Sequence, residues 1–190
     1  MGEAAYKEAP WIELIDGKVF MMSPRPRPAH TNIAGNIYYL FQNYLWNKPC
    51  RVYADGVDVY LDEKNHFIPD VLIICDKSKI HTDAIYGAPD LVVEVLSPRT
   101  EQNDRTKKLQ AYARAGVKEY WLVSPLARSV EVYLQQDGQL VLDTVSHDIP
   151  DWEYEKMEPE GQAEIHKDIK VSLYDDLVIH IRDVFHKDDL

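Results

Sequence analysis

Two strand-like runs, Leu91 to Leu96 and Glu119 to Val123, bracket a stretch with helical spacing, about Asn103 to Ala115. The rest of the chain is arranged around this strand–helix–strand block. Gly116 stands where a helix C-terminal cap belongs. In the first strand every side chain is apolar except Glu94. Burying a carboxylate among Val and Leu is costly unless something pairs with it, so Glu94 is the first candidate for chemistry.

Taken in order, residues 10–22 predict a β-hairpin turning at Asp16-Gly17. The prolines of SPRPRPAH, Ser23 to His30, exclude regular structure to about Pro28. From Ala29 to Trp46 the positions Ile33, Ile37, Leu40, Phe41, Tyr44 and Leu45 recur at three and four, an amphipathic helix. Arg51 to Leu61 alternates and predicts one strand with a bulge near Gly56. A turn at Glu63-Lys64-Asn65 leads to a strand from Phe67 to Cys75, its later half apolar on both faces. Asp76 to Ala88 reads as a loop. Arg128 to Leu142 predicts a second hairpin around Asp137-Gly138. Residues 146–164 show no usable pattern, and Val171 to Phe185 predicts a short helix or a strand followed by one. No repeat or linker interrupts the chain, so residues 1–190 are expected to form one domain. Its fold class is α/β (α+β), with a central mixed sheet flanked by helices.

Composition narrows the class. With 190 residues, 45% hydrophobic and 28% charged, the chain reads as soluble and globular. No apolar run approaches the ~20 residues of a membrane span. The opening MGEAAYKEAPWIEL lacks a secretory pattern. Cys50 and Cys75 form no CxxC pair, and the simple expectation is reduced thiols in a cytoplasmic protein. The net charge of −11 argues against indiscriminate coating of nucleic acid. It is unevenly spread: Asp151 to Leu190 carries twelve acids and five bases, net −7, whereas Ser97 to Arg128 carries seven bases and three acids, net +4. A basic segment beside Glu94 could meet phosphate, although a solvated helix face explains it as simply.

Asp70 follows Pro69 at the mouth of a buried strand, with 23 residues between it and Glu94. Neighbouring strands can bring the two carboxylates together to share one hard divalent cation. Asp90 is a poorer partner, because four residues of strand span about 13 Å, and it reads as a surface acid. On the following helix Asp104, Lys108 and Tyr112 are four apart and share a face. Asp104 and Lys108 could be an ordinary surface pair worth ~0.3–0.5 kcal/mol. If the helix packs back onto its strand, Lys108 instead points at Glu94 as a buried ammonium able to orient a water and assist its deprotonation. The embedded Glu94 favours this second reading. Lys107 faces about 100° away. The seven histidines form no HxH or HxxxH pattern, so no zinc site is expected. Tyr120 and Trp121 are assigned to the core, Glu119 to the surface and Asp16 to its turn.

These residues carry a resemblance. The pattern PD-x(23)-E-V-L resembles the PD-(D/E)XK nuclease motif. Tyr6 through Tyr133 is similar to the Uma-type restriction-endonuclease family, through IELIDGKVFMMSPRPRPAH, PDVLII, PDLVVEVLSPRT, DRTKKLQAYARAGVKEYWLVSP and VEVY, in that order. The resemblance implies a restriction-endonuclease-like core with Asp70 and Glu94 as metal ligands. The motif's lysine position is occupied by Leu96; the family departs in the same way, and a helix lysine matching Lys108 is taken to substitute. His30 also matches a family position and is a candidate for the site edge, as are Glu13 and Asp104.

The function expected is therefore Mg²⁺-dependent (or Mn²⁺-dependent) endonucleolytic hydrolysis of DNA, catalysed by Asp70, Glu94 and Lys108. The resemblance implies a 5′-phosphate product, and exposed sheet edges would allow a homodimer. No organic cofactor and no membrane partner are expected. The rival expectation is a nuclease-fold domain that binds nucleic acid or protein without turnover.

Overall fold

The computed structural model describes residues 11–21, 27–54 and 56–187. The start of the resemblance at Tyr6 and most of the proline run lie outside them. The strands are β1 (Ile12–Ile15), β2 (Lys18–Met21), β3 (Arg51–Ala54), β4 (Val59–Asp62), β5 (Asn65–Phe67), β6 (Val71–Ile74), β7 (Ile85–Tyr86), β8 (Leu91–Val95), β9 (Glu119–Ser124), β10 (Ser129–Gln136), β11 (Gln139–His147), β12 (Asp168–Lys170) and β13 (Val178–His180). The long helix α1 is Pro28–Leu45. A second helix, α2, covers residues 101–115 and contains a π-helical segment, Asp104–Lys108.

A six-stranded mixed sheet, β11-β10-β9-β8-β6-β3, is the centre of the molecule. Among the described residues its one parallel strand pair is β8 with β9, joined by α2 as the crossover that parallel strands require. Strand alternation then sorts β8: Leu91, Val93 and Val95 pack toward α1 and the C-terminal β12–β13 pair, with Ile33, Ile37, Phe41 and Trp121. Val92 and Leu96 pack on the opposite side with Tyr112, Tyr120 and Phe67. Glu94 shares the second face and so looks toward α2. A smaller sheet, β2-β1-β5-β4-β7, closes over that side. The expected mixed sheet flanked by helices is thus present.

The local turn chemistry acts as expected. Asp16 and Gly17 have φ of 49° and 75°, and Asp137 and Gly138 of 49° and 81°, the double left-handed conformation of a tight hairpin turn. Gly116, at φ 92°, caps α2 and donates to the carbonyls of Tyr112 and Ala113. The C-terminal region is the strand-then-helix alternative, β13 running into a helical turn at Ile181–Val184. Residues 146–164 resolve into the end of β11 and the short helices Asp151–Tyr154 and Pro159–Glu164.

Three expectations are corrected. Arg51 to Leu61 is not one strand: β3 pairs with β6 in the large sheet, and β4 with β5 and β7 in the small one. Phe67 to Cys75 likewise divides into β5 and β6, one in each sheet, with Pro69, which has no N–H to give a ladder, between them. A period of two does not reveal that the chain changes sheets. Thirdly, Cys50 and Cys75 are not free thiols but a disulfide. They sit one step beyond the Arg51↔Ile74 pair of β3 and β6, so register alone sets them opposite each other.

Candidate active site

Glu94, Lys108, Asp104 and Glu13 form one buried ionic cluster. Lys108 arrives from the π segment of α2, its Nζ 3.0 Å from Glu94 Oε1, 2.9 Å from Glu13 Oε1 and 3.3 Å from Asp104 Oδ1. All four side chains are 7% exposed or less. Tyr112, one further turn along α2, donates its hydroxyl to the same Glu94 oxygen at 3.0 Å. Glu13 comes from β1 and also accepts the Ile68 N–H at 3.1 Å. The Phe67 ring lies 5.5 Å from the ammonium, and the Tyr120 hydroxyl donates to the Asp104 carbonyl at 3.1 Å. The π segment widens the helix locally, a distortion often found at functional positions.

Asp70 stands outside this cluster and beside it. The last paired residues of β6 and β8 at this end are Val71↔Val93, which puts Asp70 at the register position opposite Glu94. Its Oδ2 accepts the Val95 N–H at 2.6 Å and lies 3.3 Å from His30 Nε2, on the first turn of α1. The Asp70 and His30 side chains are 13% and 19% exposed, so the site meets solvent on their side.

Three carboxylates, Glu13, Glu94 and Asp104, surround one lysine, and a fourth, Asp70, stands beside Glu94. Burial raises the Glu94 carboxyl well above its ordinary range; Lys108 opposes this, and Asp104, Asp70 and Glu13 add to it. Burial raises Asp104 too, against Lys108 and Thr100. Burial alone would lower Lys108, but Glu94, Glu13 and Asp104 outweigh it and hold the ammonium well above its ordinary value. The surrounding carboxylates thus favour the ammonium form of Lys108. Tyr112, raised by burial and by Glu94, remains a neutral donor. Asp104 Oδ1 is within ion-pair distance of Lys108 yet accepts no hydrogen bond.

The donor set suits a particular kind of ion. Among the described residues no three His, Cys, Asp or Glu side chains converge as a ready-made metal cage. Mg²⁺ ordinarily takes one or two carboxylates and completes its shell with water and substrate phosphate. Asp70 and Glu94 across a strand pair match that requirement.

Of the residues singled out in the sequence, the structure brings Glu94, Lys108, Asp104 and Glu13 into direct contact and sets Asp70 and His30 at the edge. Tyr112, assigned to the helix face without a role, touches Glu94; its four-residue spacing from Lys108 was the available signal. Two assignments are corrected. Asp90 is not a surface acid: it is buried and accepts the Cys75 N–H at 2.7 Å and the Lys118 ammonium at 2.8 Å. Glu119 is fully buried, accepting the Trp121 indole N–H at 2.6 Å and the Ser172 N–H at 2.7 Å. Both acids brace strands away from the cluster.

Comparison with known proteins places the chain in a family. The model of the Uma2 family, described as "Putative restriction endonuclease", matches residues 4–162. "Uncharacterized protein slr1290" of Synechocystis sp. (strain ATCC 27184 / PCC 6803 / Kazusa) is 31% identical over 127 residues, 66% of this chain and 66% of that protein. A crystal structure of "a putative nuclease belonging to DUF820" from Anabaena variabilis ATCC 29413 superposes with a TM-score of 0.63 at 21% identity, covering 93% of this chain and 90% of that one. This last likeness shows a shared fold.

Proposed function

Since the chain belongs to the Uma2 family, we propose that it is a divalent-metal-dependent endonuclease hydrolysing DNA phosphodiester bonds. The observation that carries this reading is Asp70 at the register position opposite Glu94, with a buried ammonium on Glu94. Asp70 and Glu94 would hold Mg²⁺ or Mn²⁺; when bound, such an ion supplies Lewis acidity to the scissile phosphate.

The chain's own residues organise the rest. Lys108 stabilises the Glu94 carboxylate in its charged form and fixes where it points. Tyr112 holds the same oxygen from a second direction. Glu13 anchors Lys108, and the Val95 N–H orients Asp70. His30 stands beside Asp70 at the partly exposed edge of the site, where it helps to orient that carboxylate. Bonded to Glu94 Oε1, Lys108 acts electrostatically: it positions Glu94 and stabilises negative charge developing nearby. A homodimer would set two such sites on the two strands of a duplex.

A second reading has its own support. The Glu13–Lys108–Glu94–Asp104 cluster is mutually bonded and closed to solvent, as in a structural ion network, and the acidic chain would then be a binding protein without turnover. Calorimetric titration with Mn²⁺ separates the two. Wild type should bind and Asp70→Asn should not, with plasmid nicking lost in the same variant. DNA binding that weakens with salt and proceeds without metal-dependent cleavage would establish the second reading.

A further inference from the structure

At the end of β6 away from Asp70 lies a second concave site. A cleft of about 400 Å³ opens between the C-terminal end of α1, the start of β3 and the chain just past β6. Its size is that of a small-ligand site. Every charged residue in its lining is a base, Lys48, Arg51 and Lys77, in a chain where acids outnumber bases by 32 to 21. Arg51 and Lys77 are exposed, and among the described residues neither side chain has an ion-pair or hydrogen-bond partner. Lys48 is partly committed: its ammonium lies 3.2 Å from the Tyr44 ring centroid and 3.9 Å from the exposed Asp176.

A covalent link holds these cations together. Lys48 and Arg51 flank Cys50, and Lys77 is two residues past Cys75. The Cys50–Cys75 disulfide therefore ties one lining segment to the other, and Cys50 itself is part of the wall. Like charges repel, yet here a cross-link and the β3–β6 ladder set them around one hollow. A ligand then meets a site already ordered, which lowers the entropic cost of binding. Arginine offers a fork that takes two phosphate oxygens at once, and lysine adds a point charge. Trp46 belongs to the same lining and is 73% exposed. An indole in water beside unpaired cations supplies both halves of what a nucleotide needs, a π surface for the base and charge for the phosphates. We propose that this cleft is a nucleotide-phosphate site, with Arg51 and Lys77 on the phosphates and the Trp46 ring against the base.

The cleft is separate from the metal-binding candidates. Asp70 precedes β6 and Cys75 follows it, five residues or ~16 Å of strand apart. Neither Asp70 nor the Glu94–Lys108 cluster lines the cleft, so failure of every cleavage assay would leave this site standing. Two sources carry the same chemistry, a free nucleotide and the 5′-phosphorylated end of a strand.

Calorimetry on the full chain in EDTA, which keeps divalent ions from the Asp70–Glu94 site, tests the proposal. The probes are ATP, tripolyphosphate, and a tetranucleotide with and without its 5′-phosphate. ATP should bind saturably with Kd on the order of 10–100 μM. Arg51→Gln and Lys77→Gln, both at exposed positions, should each weaken ATP and tripolyphosphate about tenfold, the loss of one charge-assisted contact. Trp46→Ala should weaken ATP about tenfold by lost stacking and leave tripolyphosphate unchanged. Asp70→Asn should change nothing. ATP binding tighter than the phosphorylated tetranucleotide identifies a free nucleotide as the ligand; the reverse order, with dependence on the 5′-phosphate, identifies a strand end. Absence of saturable binding by either probe to ~1 mM overturns the proposal. So does binding that survives Arg51→Gln combined with Lys77→Gln, or that disappears in Asp70→Asn. An ATP affinity indifferent to Trp46→Ala leaves a bare phosphate site and overturns the nucleotide assignment.

Discussion

Lys108 Nζ and Glu94 Oε1 lie 3.0 Å apart beneath the surface, with Glu13 and Asp104 converging on the same ammonium. Removing the single cation leaves three buried carboxylates facing one another. Lys108→Met should therefore cost about 3–5 kcal/mol, measured as a fall in the urea midpoint at neutral pH. A loss under about 1 kcal/mol would mean that the cluster is far better hydrated than its burial implies.

Glu94→Gln behaves differently. The glutamine oxygen still accepts from Tyr112 and Lys108, whereas a carboxylate raised by burial is lost. The sign follows from linkage: free Glu ionises at its ordinary value of 4.5 while Glu94 in the fold resists. Its contribution to stability is thus lost as pH rises from that value toward the raised one. The variant should be as stable as wild type or more so at neutral pH, lack that decline, and no longer bind Mn²⁺. Chemical denaturation over a pH series, with calorimetry, checks each part.

Arg105 and Glu131 give the opposite sign. Arg105 donates from Nη1 and Nη2 to the two Glu131 oxygens at 2.7 and 2.8 Å. Burial opposes ionisation of Glu131, but Arg105 and Tyr133 together hold its carboxyl below the ordinary value of 4.5. Its stabilisation is complete above that value and lost as pH falls through the lowered one. Glu131→Gln should cost about 1 kcal/mol near neutrality, discounted for partial exposure, and less at acid pH. Equal losses at both pH values would refute this.

The disulfide joins Cys50 to Cys75 across 25 residues of sequence. By loop-closure entropy it stabilises the fold by about 3 kcal/mol. Reductant, or Cys50→Ala with Cys75→Ala, should lower the denaturation midpoint accordingly. Intact mass before and after alkylation counts the free thiols, and two reactive thiols in the purified protein would contradict the pairing.

Much of this chain was legible because local chemistry decides it. Asp16-Gly17, Asp137-Gly138 and Gly116 tolerate the positive φ that their turns and cap require, and the three-four spacing of Ile33, Ile37 and Phe41 marks α1 by itself. Glu94 betrayed itself by polarity inside an apolar strand, and Lys108 by its spacing. Non-local facts had no such mark. The change of sheet between β3 and β4 depends on which distant strand offers hydrogen bonds, and the Cys50–Cys75 pair on cross-strand register. Glu13 reaches Lys108 only because the small sheet folds over α2. Asp90 and Glu119 look like surface acids until Lys118, the Cys75 N–H and Ser172 arrive to satisfy them. A residue's own chemistry states what it can do, but the partners that make a buried charge tolerable come from elsewhere in the chain and are assembled only by the tertiary fold.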